Sequence, residues 1–381
     1  MHPVDENNAT PRRPAGPAQW RGGGLSVGTA EDLGISPDQL CAFYRTHWAR
    51  PIALTRPDFL RWQLLDAPQS GGRNHSVVAV ENGEVLACMA LNRQAFLLEG
   101  RTLPAAELTT WVVAEGARGK GVGRVILQLL QDRYDVLLGA GITQAALSLY
   151  LGAGFTFLAH LPRFVHVADF AALERLTPVS PLAHSVTQGR QARTAPAPCT
   201  ALRCVARDLA DLATVPAHQF RRNAAHLGWR YDDHPIFAYE SYRITAPDGA
   251  EAGLILRRDG VNGVDFLHVV DVFGAAPDAA LACVEGLARD GGAAFADLTA
   301  TFGPLTAAAR GRGWSSAVDD PFLEVPGLFY PVELRRPPTT SVVVWSRGNP
   351  GAAYDFGKLH LTKADLDMDR PTIAFCDLHK I

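Results

Sequence analysis

Sulfur is scarce in this sequence of 381 residues, which has three methionines and six cysteines. None of Cys41, Cys88, Cys199, Cys204, Cys283 and Cys376 lies in a Cys-x-x-Cys pair or at the spacing of a zinc-ligand set. They read as reduced thiols of a cytoplasmic protein, with neither a disulfide frame nor a metal expected. Excess charge is also lacking: 36 basic and 39 acidic residues give a formal net charge of −3. No general basic field is available to hold nucleic acid. The opening MHPVDENNATPRRPAGPAQWRGGG lacks the apolar run of a secretory signal, so residues 1–24 read as a flexible arm. Charge disappears altogether from Val136 to Pro162, a stretch long enough to cross a bilayer. Gly139, Gly141, Gly152 and Gly154, with Thr143, Gln144, Ser148 and His160, break that stretch. A buried strand, helix and strand are expected there, and no membrane contact.

The chain is too long for one ordinary core, and it carries a duplication. Trp62, Asp66 and Pro68 follow the pattern Trp-x-x-x-Asp-x-Pro, as do Trp229, Asp233 and Pro235, with Leu60 and Leu227 each two residues before the tryptophan. Downstream of both lies a strand, a tight turn and a second strand, turning at Asn82-Gly83 and at Asp248-Gly249. The tryptophans are 167 residues apart and the turn glycines 166, so the register is nearly kept. Two related domains over 25–182 and 200–340 are expected. A polar, Pro- and Ala-rich linker at 183–199 would join them, and a tail at 341–381 would pack on both.

In the first half, Ser36 is placed to cap a helix, and Glu107–Val113 reads as a strand. GARGKGVGR follows at 116–124, then a helix with Val125, Ile126, Leu129 and Leu130 on one side. A strand, a glycine-rich turn and a helix together build an anion site, because glycine lets backbone N–H groups approach oxygen and the helix terminus adds its dipole. Arg118, Lys120 and Arg124 add positive charge. The loop is not the Gly-x-x-x-x-Gly-Lys-Ser/Thr loop of nucleotide triphosphatases, since Ala114 stands at its first position and Gly121 follows the lysine. Nor is it a Gly-x-Gly-x-x-Gly dinucleotide fingerprint, which would need glycine at Arg124.

What remains, Arg118-Gly-Lys-Gly-Val-Gly123, resembles the acyl-CoA loop of the GNAT superfamily of N-acetyltransferases, patterned Arg/Gln-x-x-Gly-x-Gly/Ala. Tyr150-Leu-Gly-Ala-Gly154-Phe155 matches a second element of that family. The resemblance covers roughly residues 25–165. It implies an α/β fold of two tandem GNAT-like domains, each a mixed central sheet flanked by helices. It further implies that the backbone of Trp111, Val112 and Val113 meets the pantetheine, and that Arg118, Gly119, Lys120, Gly121, Val122, Gly123 and Arg124 hold the diphosphate. Thr143 stands where the family often has a cofactor-touching Asn. Acetyl-CoA or another acyl-CoA is the implied co-substrate. A backbone N–H near Val113 would serve the oxyanion, and Tyr150 would protonate the thiolate. Glu107 is the best-placed carboxylate for a base, at an exposed strand end. By strand alternation Thr109 and Trp111 share its face and would line the acceptor cavity. Trp62 and Trp229 read chiefly as structural.

The second half repeats the elements without the loop, and Gly313-Trp314 stands in place of Gly-Phe with no tyrosine four residues earlier. It reads as a degenerate copy, leaving one active site per chain. In the tail, Asp365, Asp367 and Asp369 alternate without the Gly and Glu of a calcium loop and are expected to be solvated. The combination is similar to tandem GNATs of bacterial polysaccharide and secondary-metabolite contexts, implying an amino sugar or related small amine as acceptor. A non-catalytic acyl-CoA sensor and an aminoacyl-tRNA-dependent transferase of Fem type are the competing readings. The oligomeric state is not written in the sequence.

Overall fold

The computed structural model describes residues 19–22, 24–48, 52–194, 198–213, 218–320, 323–327, 336–348, 351, 355–366 and 369–371. Cys376, Asp367 and the first 18 residues of the expected arm lie outside them. The arm's residues 19–22 form a strand paired with the next.

Sixteen strands and nine α-helices, with short 3₁₀ and π turns between them, are found among the described residues and numbered here from the N-terminus. The first half runs β1 Gln19–Gly22, β2 Leu25–Thr29, α1 Pro37–His47, α2 Pro57–Leu64, β3 Val77–Glu81, β4 Glu84–Leu98, β5 Arg101–Val113, α3 Val122–Arg133, β6 Val136–Ala140, α4 Gln144–Gly152, β7 Thr156–Leu158 and β8 Arg163–Val167. Next come α5 Phe170–Leu173, α6 Pro181–Gln191, β9 Thr200–Cys204, β10 Gln219–Phe220, α7 Ala224–Leu227, β11 Glu240–Thr245, β12 Glu251–Val261 and β13 Val264–Gly274. The chain continues through α8 Pro277–Asp290, β14 Phe295–Thr299, α9 Gly303–Gly311, β15 Ser315–Ser316 and β16 Val342–Ser346.

Local chemistry accounts for the boundaries. Ser36 and Gln39 cap α1 reciprocally, the serine accepting from Gln39 N and the Gln39 side chain from Ser36 N. Asn82 and Gly83 take φ of 52° and 85° in the turn of the β3–β4 hairpin, as a two-residue turn between antiparallel strands requires. The uncharged stretch resolves into β6, α4 and β7, a strand, a helix and a strand. The stretch at 183–199 is not simply a linker: Ser180 caps α6, which buries Ala183 and Thr187. Gly313, at φ 73°, lets the backbone pass Arg190, whose carbonyl would lie 2.8 Å from an added Cβ.

Two mixed sheets carry the duplication. The first runs β1-β2-β3-β4-β5-β6-β16-β7 with β10 on β4, and the second β15-β8-β14-β13-β12-β11-β9. In each, a long antiparallel hairpin leads to one parallel pair, β5 with β6 and β13 with β14. The boundaries expected at 182 and 340 are crossed twice. β8, from the first half, lies between β14 and β15 of the second sheet, and β16, from the tail, lies between β6 and β7 of the first. Each half thus completes its sheet with a strand from the other.

The exchange is anchored by charge as well as by the ladders. Arg163 on β8 is fully buried and donates to Asp297 of β14 at 2.9 Å and to Pro326 O at 2.8 Å. Buried arginine is tolerated because its fixed fork is saturated by acceptors. Leu60 and Leu227, the matched pair before the tryptophans, are both fully buried. Trp62 and Trp229 stack on each other, with centroids 5.0 Å apart, and Trp229 Nε1 donates to Trp62 O. The two copies of the motif meet at the junction of the halves.

Candidate active site

The glycine loop lies between β5 and α3, as its sequence requires. Gly119 and Gly121 both have φ of 78°, a region other residues enter only with strain, and a Cβ on either would meet nothing within 4 Å. Space is therefore open in front of the loop, and Arg118, Lys120 and Arg124 are exposed around it. The first amides of α3, from Val122 and Gly123, have no intrahelical acceptor and lie at the same end of the helix as the loop. Arg118 Nε donates to Val113 O, tying the loop to the end of β5. Gly123 permits a close approach instead, since a Cβ there would lie 2.9 Å from Trp111 Cζ2 and 3.2 Å from Leu149 Cδ1. Thr143 caps α4 by accepting from Ala146 N.

Beside the loop the sheet opens. β5 pairs with β6 only from Ala105 to Leu108, so from Thr109 onward its far edge has no strand partner among the described residues. Leu91 faces Leu108 while Met89 faces Trp111, which gives β5 one extra residue at Thr109–Thr110. Such a bulge reverses the alternation beyond it. Trp111 consequently packs on the α3 side with Tyr150, edge to face at 5.3 Å. The expectation that Thr109 and Trp111 share the face of Glu107 fails for this reason, and Thr110 takes that side, accepting from Arg370 Nη1 at 2.9 Å. Thr109 Oγ1 and Trp111 Nε1 are buried at the opening without a hydrogen-bond partner. Orphaned donors and acceptors beside an open loop fit a bound polar chain such as pantetheine.

Tyr150 stands in the core on the α3 side, between Trp111 and Phe155, and is 3% exposed. Burial pushes its hydroxyl well above the ordinary tyrosine range, so it remains a proton donor at all working pH values. Glu107 is neither exposed nor at a strand end. It sits within β5, 4% exposed, and accepts from Asn92 Nδ2 at 3.0 Å. The stretch of strand before it, Arg101–Ala106, is not legible from the Leu-Pro in that segment.

Glu107 lines a cleft between the halves, together with Trp62 and Trp229 and with Asn92 and Gln94 of β4. Arg230, His226, Asp369 and Arg370 close it from the second half and the tail. Two of the tail aspartates, Asp365 and Asp369, are not solvated: Asp369 accepts from Arg257 Nη2 and Tyr239 Oη, both at 2.6 Å, and Asp365 from Arg222 Nη2 at 2.6 Å. Burial pushes the Asp369 carboxyl up, but Arg257 and Arg230 outweigh it and hold the group below the usual carboxylate range. Burial, reinforced by Arg222 and Arg230, pushes His226 down to about 3, leaving it a neutral and weak base. Sequence reasoning missed Asn92, Gln94 and Thr110. The visible signal was two amides on a strand face otherwise built from Cys88, Ala90 and Phe96.

The second sheet shows the corresponding place filled. Val269 is the last β13 residue paired with β14, as Leu108 is the last of β5 paired with β6, and an extra residue follows each. His268 therefore corresponds to Glu107. Lys363 of the tail puts Nζ 2.6 Å from His268 Nδ1 and donates to Asp297 Oδ1 at 2.6 Å. Asp271, which corresponds to Thr110, is bound by Arg222, Tyr231 and Thr362. Among the described residues no group of three His, Cys, Asp or Glu side chains is placed to hold a metal ion.

Residues 40–155 match the model of the Acetyltransferase (GNAT) family. The fold resembles a GCN5-related N-acetyltransferase from Anabaena variabilis, 14% identical, with a TM-score of 0.53 over 84% of this chain and 72% of that one. It also resembles one from Kribbella flavida, 18% identical, with a TM-score of 0.50 over 88% and 73%. No curated protein matches the sequence.

Proposed function

From the GNAT-family domain that the chain carries at residues 40–155, we propose that the protein is an N-acyltransferase moving an acyl group, acetyl by preference, from CoA to a small amine. The observation that carries this reading is the parting of β5 from β6 beside the loop. It leaves a free edge of β5 between the glycine loop and the cleft that Glu107 lines. Acyl-CoA and amine can then be held together, which supports direct attack in a ternary complex.

Bound acyl-CoA supplies the thioester. Gly119 to Arg124 hold its diphosphate, the free edge of β5 at Trp111–Val113 meets the pantetheine, and Thr143 stands at its side. Glu107, oriented by Asn92, accepts a proton from the acceptor's ammonium so that a neutral amine attacks. An N–H on the free edge of β5 meets the oxyanion. Tyr150, on the opposite face, gives its proton to the departing thiolate.

The acceptor is a small amine, a class to which amino sugars and secondary-metabolite amines belong. In the second sheet Lys363 occupies the corresponding position, which supports a single site per chain. Release of free thiol from acetyl-, propionyl- and longer acyl-CoA across a panel of amines tests the proposal. Turnover with acetyl-CoA favoured is expected. Tight CoA binding with no turnover on any amine would favour a non-catalytic acyl-CoA sensor.

A further inference from the structure

The floor of the cleft narrows the acceptor further, a step that rests on the acceptor cleft of the proposed function. Asn92 and Gln94 alternate on β4, on the face of Glu107, and each is 7% exposed. The Asn92 amide NH₂ is committed to Glu107, leaving Asn92 Oδ1 buried without a partner. Gln94 Oε1 is likewise buried and unpartnered. On the wall, Trp62 Nε1 is a buried donor without an acceptor, although its ring is stacked on Trp229. Buried amide oxygens are paired in nearly all folded proteins, so two orphans side by side on a cleft floor mark donors that arrive with a ligand.

The second sheet supplies the control. Arg257 and Asp259 stand at the positions of Asn92 and Gln94, and they close on each other at 2.7 Å. That floor satisfies itself, whereas the first one does not.

Charge decides which donors. The oxygens are neutral amides, and the Asp369 carboxylate is already taken by Arg257, Tyr239 and Arg230, whose guanidinium lines the same cleft. A second ammonium would find no further carboxylate to offset its charge, whereas hydroxyl groups donate to amide oxygens at no charge cost. The stacked tryptophans offer a flat apolar surface for the C–H face of a ring.

We infer that the acceptor is a hydroxylated ring monoamine, with hydroxyl groups next to the amine donating to Asn92 Oδ1 and Gln94 Oε1, and that these two residues set acceptor specificity.

The test is calorimetric binding to the full chain without acyl-CoA, using trans-2-aminocyclohexanol and glucosamine against cyclohexylamine. The hydroxylated amines are expected to bind on the order of 10-fold more tightly or better, because their absence leaves buried oxygens unpaired. Gln94→Met, which keeps the shape and removes the oxygen, should shrink that ratio to about 2-fold, and Gln94→Glu, which keeps an acceptor, should retain most of it. Equal binding of the three amines, no binding of any, or a ratio unchanged in Gln94→Met overturns the inference. A binding preference without thiol release from any acyl-CoA would remove the transferase reading and leave this one standing. Turnover of cyclohexylamine as efficient as that of its hydroxylated analogue would do the reverse.

Discussion

Glu107 and Tyr150 divide the proposed chemistry between the two faces of one strand, and the division makes their variants distinguishable. Glu107→Gln keeps the hydrogen bond geometry with Asn92 but cannot take a proton. It should lower kcat on the order of 10²-fold with little change in acyl-CoA affinity, measured by steady-state kinetics and equilibrium binding. Tyr150→Phe keeps the ring against Trp111 and Phe155 and removes only the donor, so the melting temperature should hold while kcat falls on the order of 10-fold or more. Normal turnover in Tyr150→Phe would remove the acid assignment. Three of the cysteines stay out of this chemistry. Burial pushes the thiol of Cys41 up to about 11 and those of Cys88 and Cys283 to about 12, so none of the three is a thiolate at neutral pH.

At the scale of the element, the glycine loop is the part that sequence discloses best. Its place between a strand and α3 follows from the spacing alone. Gly123 adds something the spacing does not show, a contact with Trp111 that admits no Cβ. Gly123→Ala should therefore push the start of α3 off β5 and cost about 1–3 kcal/mol of stability, read by denaturant unfolding, together with a loss of acyl-CoA affinity. An unchanged unfolding midpoint would mean that Trp111 yields freely. β5 is the counter-example. Strict alternation puts Thr109 and Trp111 beside Glu107, but one extra residue at Thr109–Thr110 turns Trp111 to the opposite face. A bulge leaves no mark in composition, because its cause is the pairing partner rather than the strand itself. The burial of Asp365 and Asp369 is hidden from the sequence for the same kind of reason. Their partners, Arg222, Arg230 and Arg257, lie more than a hundred residues away along the chain. The duplication, in contrast, is legible from the tryptophans, since a repeated motif carries its own comparison.

At the scale of the whole molecule, buried histidines tie stability to pH. Burial pushes His166 down to about 4 and His360 to about 3, and it lowers His268 as well. The unfolded chain binds protons at these sites below pH 6.5 while the folded chain does not, so stability falls as pH drops through that window. Asp365, raised by burial to about 6, opposes this between roughly pH 4 and 6. His226, at about 3, and His234, well below the ordinary range, act in the same sense, so denaturant midpoints should decline from pH 7 toward pH 4.5, with unfolding taking up several protons. The exchanged strands make a second prediction at this scale. Residues 1–196 alone lack β16 and should be insoluble, whereas co-expression with 197–381 should yield a 1:1 complex on size exclusion. A soluble monomeric N-terminal fragment would contradict the ladder of β16 with β6 and β7.

That same exchange has a consequence on the ribosome. β6 emerges with Val136, Leu137 and Leu138 on an open edge, and its neighbour β16 is not made until about 200 residues later. At synthesis rates of roughly 5–20 residues per second, the edge stands bare for on the order of 10–40 s. An unpaired apolar edge is an invitation to aggregate. The nascent chain should therefore be a client of ribosome-associated chaperones for far longer than its two-sheet architecture alone would demand.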